Sequence, residues 1–256
     1  MADSTNSIYL SRLHLNPLSR QVMNELAHPY EMHRTLMRAF PQATDANKSS
    51  ARGEFGVLFR AENDALRNAV RVYVQSRPEP DWSCLYKMDE YLCTDPDLVP
   101  SECKDIMPAL RRLQVGQHLF FRMLANPTKR VGADGDPMKG KRVELRREDE
   151  QIEWLIRKGR GTGNGKSGGF ELVTQVTNGE GEKQTIPRVS AYNQGRRTGK
   201  KRVAGQGHST THFAVLFEGL LRVTDTEDFI DTLVCGIGAG KGFGFGLLTL
   251  GPARMV

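Results

Sequence analysis

Tyr30, His33, Arg34 and Arg38 recur at helical spacing in the segment HPYEMHRTLMRAF. At roughly 100° per residue they lie, with Met37, on one side of a helix expected from Tyr30 to Phe40. Met32, Leu36, Ala39 and Phe40 form an apolar stripe on the other side. If that stripe packs inward, an imidazole, a phenol and two guanidinium groups are presented together at the surface. That set suits metal-free phosphodiester cleavage. RNA carries its own nucleophile in the 2′-hydroxyl, so a protein has only to move protons and hold charge on the phosphate. An imidazole such as that of His33 can titrate near neutral pH, Arg34 and Arg38 can each grip phosphate oxygens bidentately, and Tyr30 can donate a hydrogen bond or shuttle a proton. Of the two rings His33 is the better base. The same spacing also fits an exposed helix on which a His and a Tyr merely stand beside unpaired arginines, and spacing alone does not choose between the two.

A second candidate is the run GIGAGKGFGFG, with Gly236, Gly238, Gly240, Gly244 and Gly246 around Lys241. A loop with so little side-chain bulk lets backbone N–H groups approach a phosphate or a base, with Lys241 adding charge. Read more plainly, it is a permissive turn after a helix capped at Gly236. It is not a Walker loop, because Cys235 stands five residues before Gly240 and Gly242 follows Lys241 where Ser or Thr is required. GTGNGKSGG is another near miss, with Arg160 in place of the first Gly, and it reads as a surface loop. Arg188, Arg196, Arg197, Lys200, Lys201 and Arg202 form a basic loop without an acid. A second cluster spans Lys129, Arg130, Lys139, Lys141, Arg142, Arg146 and Arg147. Both suit a polyanion, and both equally suit a solvated face. His14, His28, His118, His208 and His212 have no metal-ligand spacing, and only His208 and His212 stand near the basic loop.

These residues need elements to hold them. Strands are expected at Ile8–Leu15, Phe55–Arg60 and Val70–Ser76, and a short helix from about Ser19 to Leu26. Pro41 ends the helix that carries His33, since proline has no backbone donor. Asp95 to Pro108 is rich in proline and acid and reads as loop or linker, which puts a domain boundary there: residues 1–108 and 109–256. Beyond it come a strand from Leu119, a helix from about Glu148 to Lys158, strands near Phe170–Thr177 and Phe213–Val223, and a helix opened by Thr224 or Asp225. Gly236 stops that helix and a last strand covers Leu247–Leu250. The second half thus follows the strand, helix, strand, strand, helix, strand order of a ferredoxin-like domain; the first half is α+β and fits it less completely.

Composition narrows the function classes. The chain has 256 residues, 38% hydrophobic and 26% charged, with a formal charge of +6, which fits one large or two ordinary soluble domains. No stretch approaches the ~20 apolar residues of a membrane span, and the start MADSTNSIYL has no export pattern. No membrane partner is expected. Cys84, Cys93, Cys103 and Cys235 form no C-x-x-C pair, which points away from zinc and toward reduced thiols in the cytoplasm.

Five segments in order, IYLSRLHLNPLSR, HPYEMHRTLMRAF, LFFRMLANPTKR, HFAVLFEGLLRV and GIGAGKGFGFGLLTL, resemble the type I-E CRISPR repeat-processing endoribonuclease family, also called CasE. The resemblance runs from Ile8 to Pro252 and favours the chemical reading of the helix. It implies two tandem ferredoxin-like (RRM-related) domains, no cofactor, and cutting of a CRISPR repeat hairpin in precursor crRNA to give a 2′,3′-cyclic phosphate and a 5′-hydroxyl. By the resemblance His33 and Tyr30 are catalytic, Arg34 and Arg38 are basic positions of the active-site helix, and the five glycines with Lys241 are the family's glycine loop. It also implies that the protein stays on the crRNA 3′ hairpin within Cascade, beside the backbone subunit. The sequence departs from the family in an apparent insertion at Gly159–Gly169 and an extra glycine at Gly242. A non-catalytic RNA-binding subunit would share everything except a productive site.

Overall fold

The computed structural model describes residues 7–41, 55–132, 140–161, 167–179, 182–203 and 206–253. In the first half, β1 (Tyr9–Leu15) leads through α1 (Arg20–Ala27) and α2 (Pro29–Leu36) to β2 (Leu58–Asp64) and β3 (Ala69–Ser76). α3 (Ser83–Tyr86) and β4 (Ser101–Asp105) follow. The sheet order is β2-β3-β1-β4, with each neighbouring pair antiparallel. That is the ferredoxin-like arrangement. The expected linker from Asp95 to Pro108 therefore contains the fourth strand, together with part of α4 (Met107–Leu110). SECKD has no apolar alternation, because β4 is an edge strand that pairs only with β1 and is at most half-buried.

The helix expected from Tyr30 to Phe40 is shorter than its pattern. α2 has Pro29 in its first turn and gives way to a 3-10 turn over Met37–Ala39, and Phe40 is extended (φ −118°, ψ 155°) ahead of Pro41. Met32, Leu36, Ala39 and Phe40 are all buried against Leu13, Val72, Trp82 and Tyr91, as the apolar stripe requires. A buried Met or Leu contributes about 1.5–3 kcal/mol, enough to hold a two-turn helix that would not persist alone.

In the second half the elements are β5 (His118–Ala125), β6 (Thr128–Val131), β7 (Lys141–Glu144), α5 (Glu148–Arg160), β8 (Phe170–Leu172), β9 (Thr174–Gly179) and β10 (Glu182–Pro187). They continue with β11 (Val189–Val203), β12 (Gln206–Val223), α6 (Thr226–Cys235) and β13 (Leu248–Pro252). The main sheet runs β11-β12-β5-β13, again the ferredoxin-like order, so the chain is two such domains in tandem. α5 and α6 cover one face with Trp154, Leu155, Phe229 and Leu233, and Ile8, Met107 and Leu110 join the same core. The basic stretch Arg188 to Arg202, expected as a loop, is instead almost wholly strand: β11 pairs with β12 along a ribbon far longer than its neighbours. Its polar side chains hide it from pattern reading, since a two-stranded ribbon pairs its backbone whatever the side chains are. One extra residue on β11 between Asn193 and Arg196 makes a bulge, and Gly195 there has φ +77°. Such a bulge bends and twists the ribbon. Among the described residues, no helix is long and apolar enough to cross a membrane. All four cysteines are free thiols.

Two buried side chains join the sheets. Arg60 on β2, 2% exposed, donates to the carbonyls of Arg122 (2.9 Å) and Leu247 (3.1 Å) and to Thr249 Oγ1 (2.8 Å), and its Nε meets Glu62 at 2.6 Å. Gln75 on β3 donates to the carbonyl of Leu233 at the end of α6 (2.8 Å). Burial holds the Arg60 pKa below its usual value and Glu62 opposes that shift, but a guanidinium stays charged throughout. Replacing Arg60 by Met leaves the Glu62 carboxylate with only Arg122 Nε (3.4 Å) and takes a donor from the carbonyls of Arg122 and Leu247 and from Thr249. The expected loss is about 3–5 kcal/mol in urea unfolding; a loss below about 1 kcal/mol would show that the sheets dock without it.

Candidate active site

The rotation of α2 about its own axis is fixed by a buried carboxylate. Glu25 on α1, 3% exposed, accepts from Thr35 Oγ1 on α2 (2.7 Å), the Tyr91 hydroxyl (2.5 Å) and Gln21 Nε2 (2.8 Å). Burial, reinforced by Glu25, pushes the Tyr91 phenol pKa upward, so it remains a donor. With Thr35 tied to Glu25, Tyr30 and His33 face the second domain. The His33 ring lies nearly parallel to Phe59 on β2, with centroids 6.1 Å apart at 12°, and its centroid is also 6.1 Å from that of Tyr30.

The glycine loop supplies the opposite wall. α6 is capped by the Asp225 carboxylate, which accepts from the N–H of Asp228 (2.9 Å), and it stops at Gly236. The N–H of Ile237 donates to Gly246 O (3.0 Å), closing the base of the loop, and the N–H of Gly246 donates to Leu124 O (2.8 Å), anchoring it on β5. Gly236, Gly238, Gly240, Gly244 and Gly246 all have φ between 71° and 89°. At the tip, Lys241–Phe243 makes one 3-10 turn. A Cβ on Gly242 would make ordinary van der Waals contact, 3.5 Å from His33 Cδ2 and 3.7 Å from the Tyr30 ring, so the loop backbone stands about one methyl group away from both rings.

The β11–β12 arm closes the third side. Gly199 packs so tightly that a Cβ there would meet Phe243 at 2.5 Å and Tyr30 Cβ at 3.3 Å. His212 on β12 stands edge-on to Phe243 (4.5 Å) and Phe245 (5.8 Å), and its Nδ1 is 2.9 Å from Asn126 Nδ2. The Arg197 guanidinium lies 5.8 Å from the Phe245 centroid, and burial holds its pKa below the usual value.

A pocket of about 410 Å³ remains between these walls, lined among others by Tyr30, His33, Arg77, Cys235, Lys241 and Gly242. The sequence pattern placed both rings at the surface of their helix; in the folded chain His33 is only 8% exposed, because the second domain's loop covers it. Arg34 and Arg38 do not line this pocket. Arg34 is exposed and paired with Glu31 (2.8 Å), and Arg38 Nη1 points to Met88 Sδ (3.5 Å). Among the described residues the cations that line it are Arg77 and Lys241. Nothing local marks Arg77, which follows β3; only the pairing of β3 with β2 brings it beside Gly56, where a Cβ would lie 3.3 Å from its Nε. Arg196 is paired with Glu144 (3.0 Å). Lys200, Lys201 and Arg202 lie on β11, in register with Ser209, His208 and Gly207, and their side chains fall outside the described residues.

A family model described as CRISPR associated protein matches residues 8–252. The CRISPR-associated endoribonuclease Cse3 of Thermus thermophilus is 38% identical over 248 residues, covering 96% of this chain and all of that protein. The CRISPR system Cascade subunit CasE of Escherichia coli is 28% identical over 233 residues, covering 87% and 92%. A solved structure of Cse3 bound to 19 nt RNA superimposes with a TM-score of 0.68 at 35% identity, covering 97% of this chain and all of that one. The chain belongs to the CasE (Cse3) family of CRISPR associated proteins. In this CasE-family chain the loop, the arm and the helix meet through Phe243, which touches Tyr30 on one side and His212 on the other.

That contact has a pH signature. Burial lowers the His212 pKa and Glu144 opposes the shift more weakly, so the folded state favours the neutral ring. The unfolded chain, with an ordinary value near about 6.5, binds the proton more readily. Stability from this site is therefore fully present above about 6.5 and is lost as pH falls toward the lower folded value. The melting temperature should drop on acidification more steeply in the parent than in His212→Gln, and parallel curves would remove His212 from the linkage.

Proposed function

We propose that this CasE-family protein is a metal-independent endoribonuclease that cuts CRISPR repeat hairpins in precursor crRNA, with His33 and Tyr30 as its catalytic side chains. The observation that carries the reading is their convergence with Lys241 and Arg77 in one pocket beside the glycine loop. His33 takes the proton from the 2′-hydroxyl, the 2′-oxygen attacks phosphorus, and the bond from phosphorus to the 5′-oxygen breaks. The products are a 2′,3′-cyclic phosphate and a 5′-oxygen that gains a proton to become a hydroxyl. Tyr30 donates a hydrogen bond at the reacting phosphate or carries one of these protons, and Lys241 and Arg77 offset the charge that builds there. Arg34 and Arg38 meet RNA outside the pocket. Arg196, Arg197, Lys200, Lys201 and Arg202 hold the hairpin duplex, where phosphates dominate affinity.

In this reading residues 1–108 form the unit carrying the catalytic helix, and residues 109–256 the unit carrying the glycine loop and the basic arm. After cutting, the protein stays on the 3′ hairpin of the crRNA as a cytoplasmic Cascade subunit, beside the backbone subunit. The relatives named for Cascade and for endoribonuclease activity support this.

Cleavage of a cognate repeat hairpin should proceed in excess EDTA and stop when the nucleotide 5′ to the cut is 2′-deoxy. A requirement for metal would exclude the mechanism. His33→Ala should slow single-turnover cleavage by about 10² or more while RNA affinity changes little, and Arg77→Ala should also slow it. A parent that binds the hairpin but yields no product would instead be a non-catalytic RNA-binding subunit.

A further inference from the structure

A second pocket lies on the other side of the glycine loop. It is about 290 Å³ in volume and is lined by Asn126, Thr128, Arg130, Arg142, Trp154, Lys158, Gly238 and Ala239. Three of those side chains are cations and none is an acid. Arg130 on β6 is directly opposite Arg142 on β7. Like charges placed across a strand pair repel and normally cost stability. Lys158, from α5, adds a third positive charge, with its ammonium 5.7 Å from the centroid of Trp154. Burial, then Arg142 and Arg157, hold the Lys158 pKa below its usual value.

Several neighbouring cations are paired within the protein, although Lys141 and Arg157 have no carboxylate partner among the described residues. Lys129 pairs with Glu150 (2.8 Å), Arg147 with Asp149 (2.6 Å), and Arg146 and Arg196 share Glu144. Among the described residues, no carboxylate lies within ion-pair distance of Arg130, Arg142 or Lys158. Three gathered cations, one of them partly desolvated, are unfavourable together unless an anion joins them.

We propose that Arg130, Arg142 and Lys158 form a binding site for a backbone phosphate of the RNA, distinct from the phosphate being cut. Two forked guanidinium groups and one ammonium suit a single phosphodiester. Thr128 and the backbone of Gly238 and Ala239 add polar contacts without bulk. Ala239 in this pocket and Gly242 in the catalytic one are three residues apart, at most roughly 10 Å of chain. A strand held here is therefore gripped a short distance from the bond to be broken. The site sets where the RNA lies along the glycine loop. The inference rests on the repeat-cutting reading, because its ligand is that same RNA.

The test measures binding of a repeat hairpin made uncleavable by a 2′-deoxy nucleotide, over a series of salt concentrations. The full-length parent is compared with an Arg142→Gln, Lys158→Gln double variant and with Lys158→Arg. For one lost phosphate contact, the plot of log affinity against log salt should become shallower by about 0.9 in the double variant. Its affinity should fall by roughly tenfold. Lys158→Arg should keep the parent slope. An unchanged slope in the double variant, even with weaker binding, would mean that these charges are balanced within the protein, and would overturn the proposal alone. A parent that neither binds this hairpin nor cuts its all-ribose form would overturn the repeat-cutting reading, and this site with it.

Discussion

Everything at the candidate site depends on how the two ferredoxin-like sheets are docked. Arg60 reaches out of β2 and donates to a carbonyl of β5, to the carbonyl of Leu247 just before β13 and to a hydroxyl of β13, while Gln75 meets the end of α6. These are directional bonds in a nearly water-free setting, where a misplaced partner leaves a charged or polar group unsatisfied. The domains are therefore held in one register and not merely pressed together. α2 belongs to the first domain and the glycine loop to the second, so the pocket between them exists only while that register holds.

The loop meets the opposite requirement. Where the arm closes on helix and loop, bulk has to be removed. Gly199 brings the β11 arm so close to Phe243 and Tyr30 that a Cβ would collide, whereas a Cβ on Gly242 would only touch the rings of Tyr30 and His33. The aromatic cluster of Tyr30, Phe243, Phe245 and His212 fills the remaining space. It couples helix, loop and arm through ring contacts. The rings of Tyr30 and His33, a permissive loop and a basic arm, which are separate features of the chain, become a single wall system.

Charge is handled in two ways around that system. On the outer surface most arginines and lysines of the β6–β7 region have carboxylate partners, which limits non-specific attraction for polyanions. Around the two pockets that flank the loop, cations line the walls and acids do not. With the nucleophile already present in RNA, such positioning and charge compensation are most of what a protein must supply.

The sequence by itself determined the α+β class, most element positions, the apolar stripe under α2 and the pairing of Tyr30 with His33, because each is written in local periodicity or in neighbouring residues. Local pattern could not reveal β4, whose SECKD carries no alternation, or the β11 ribbon, whose polar side chains conceal a paired backbone. Nor could it show which cations attend His33. A helical wheel puts Arg34 and Arg38 near it, yet strand pairing within the first sheet brings Arg77, and the docking of the second domain Lys241, to the pocket while Arg34 pairs with Glu31 in solvent. Helical spacing reports neighbours along one element, whereas a pocket between domains is assembled from contacts distant in the chain, and only tertiary packing decides those.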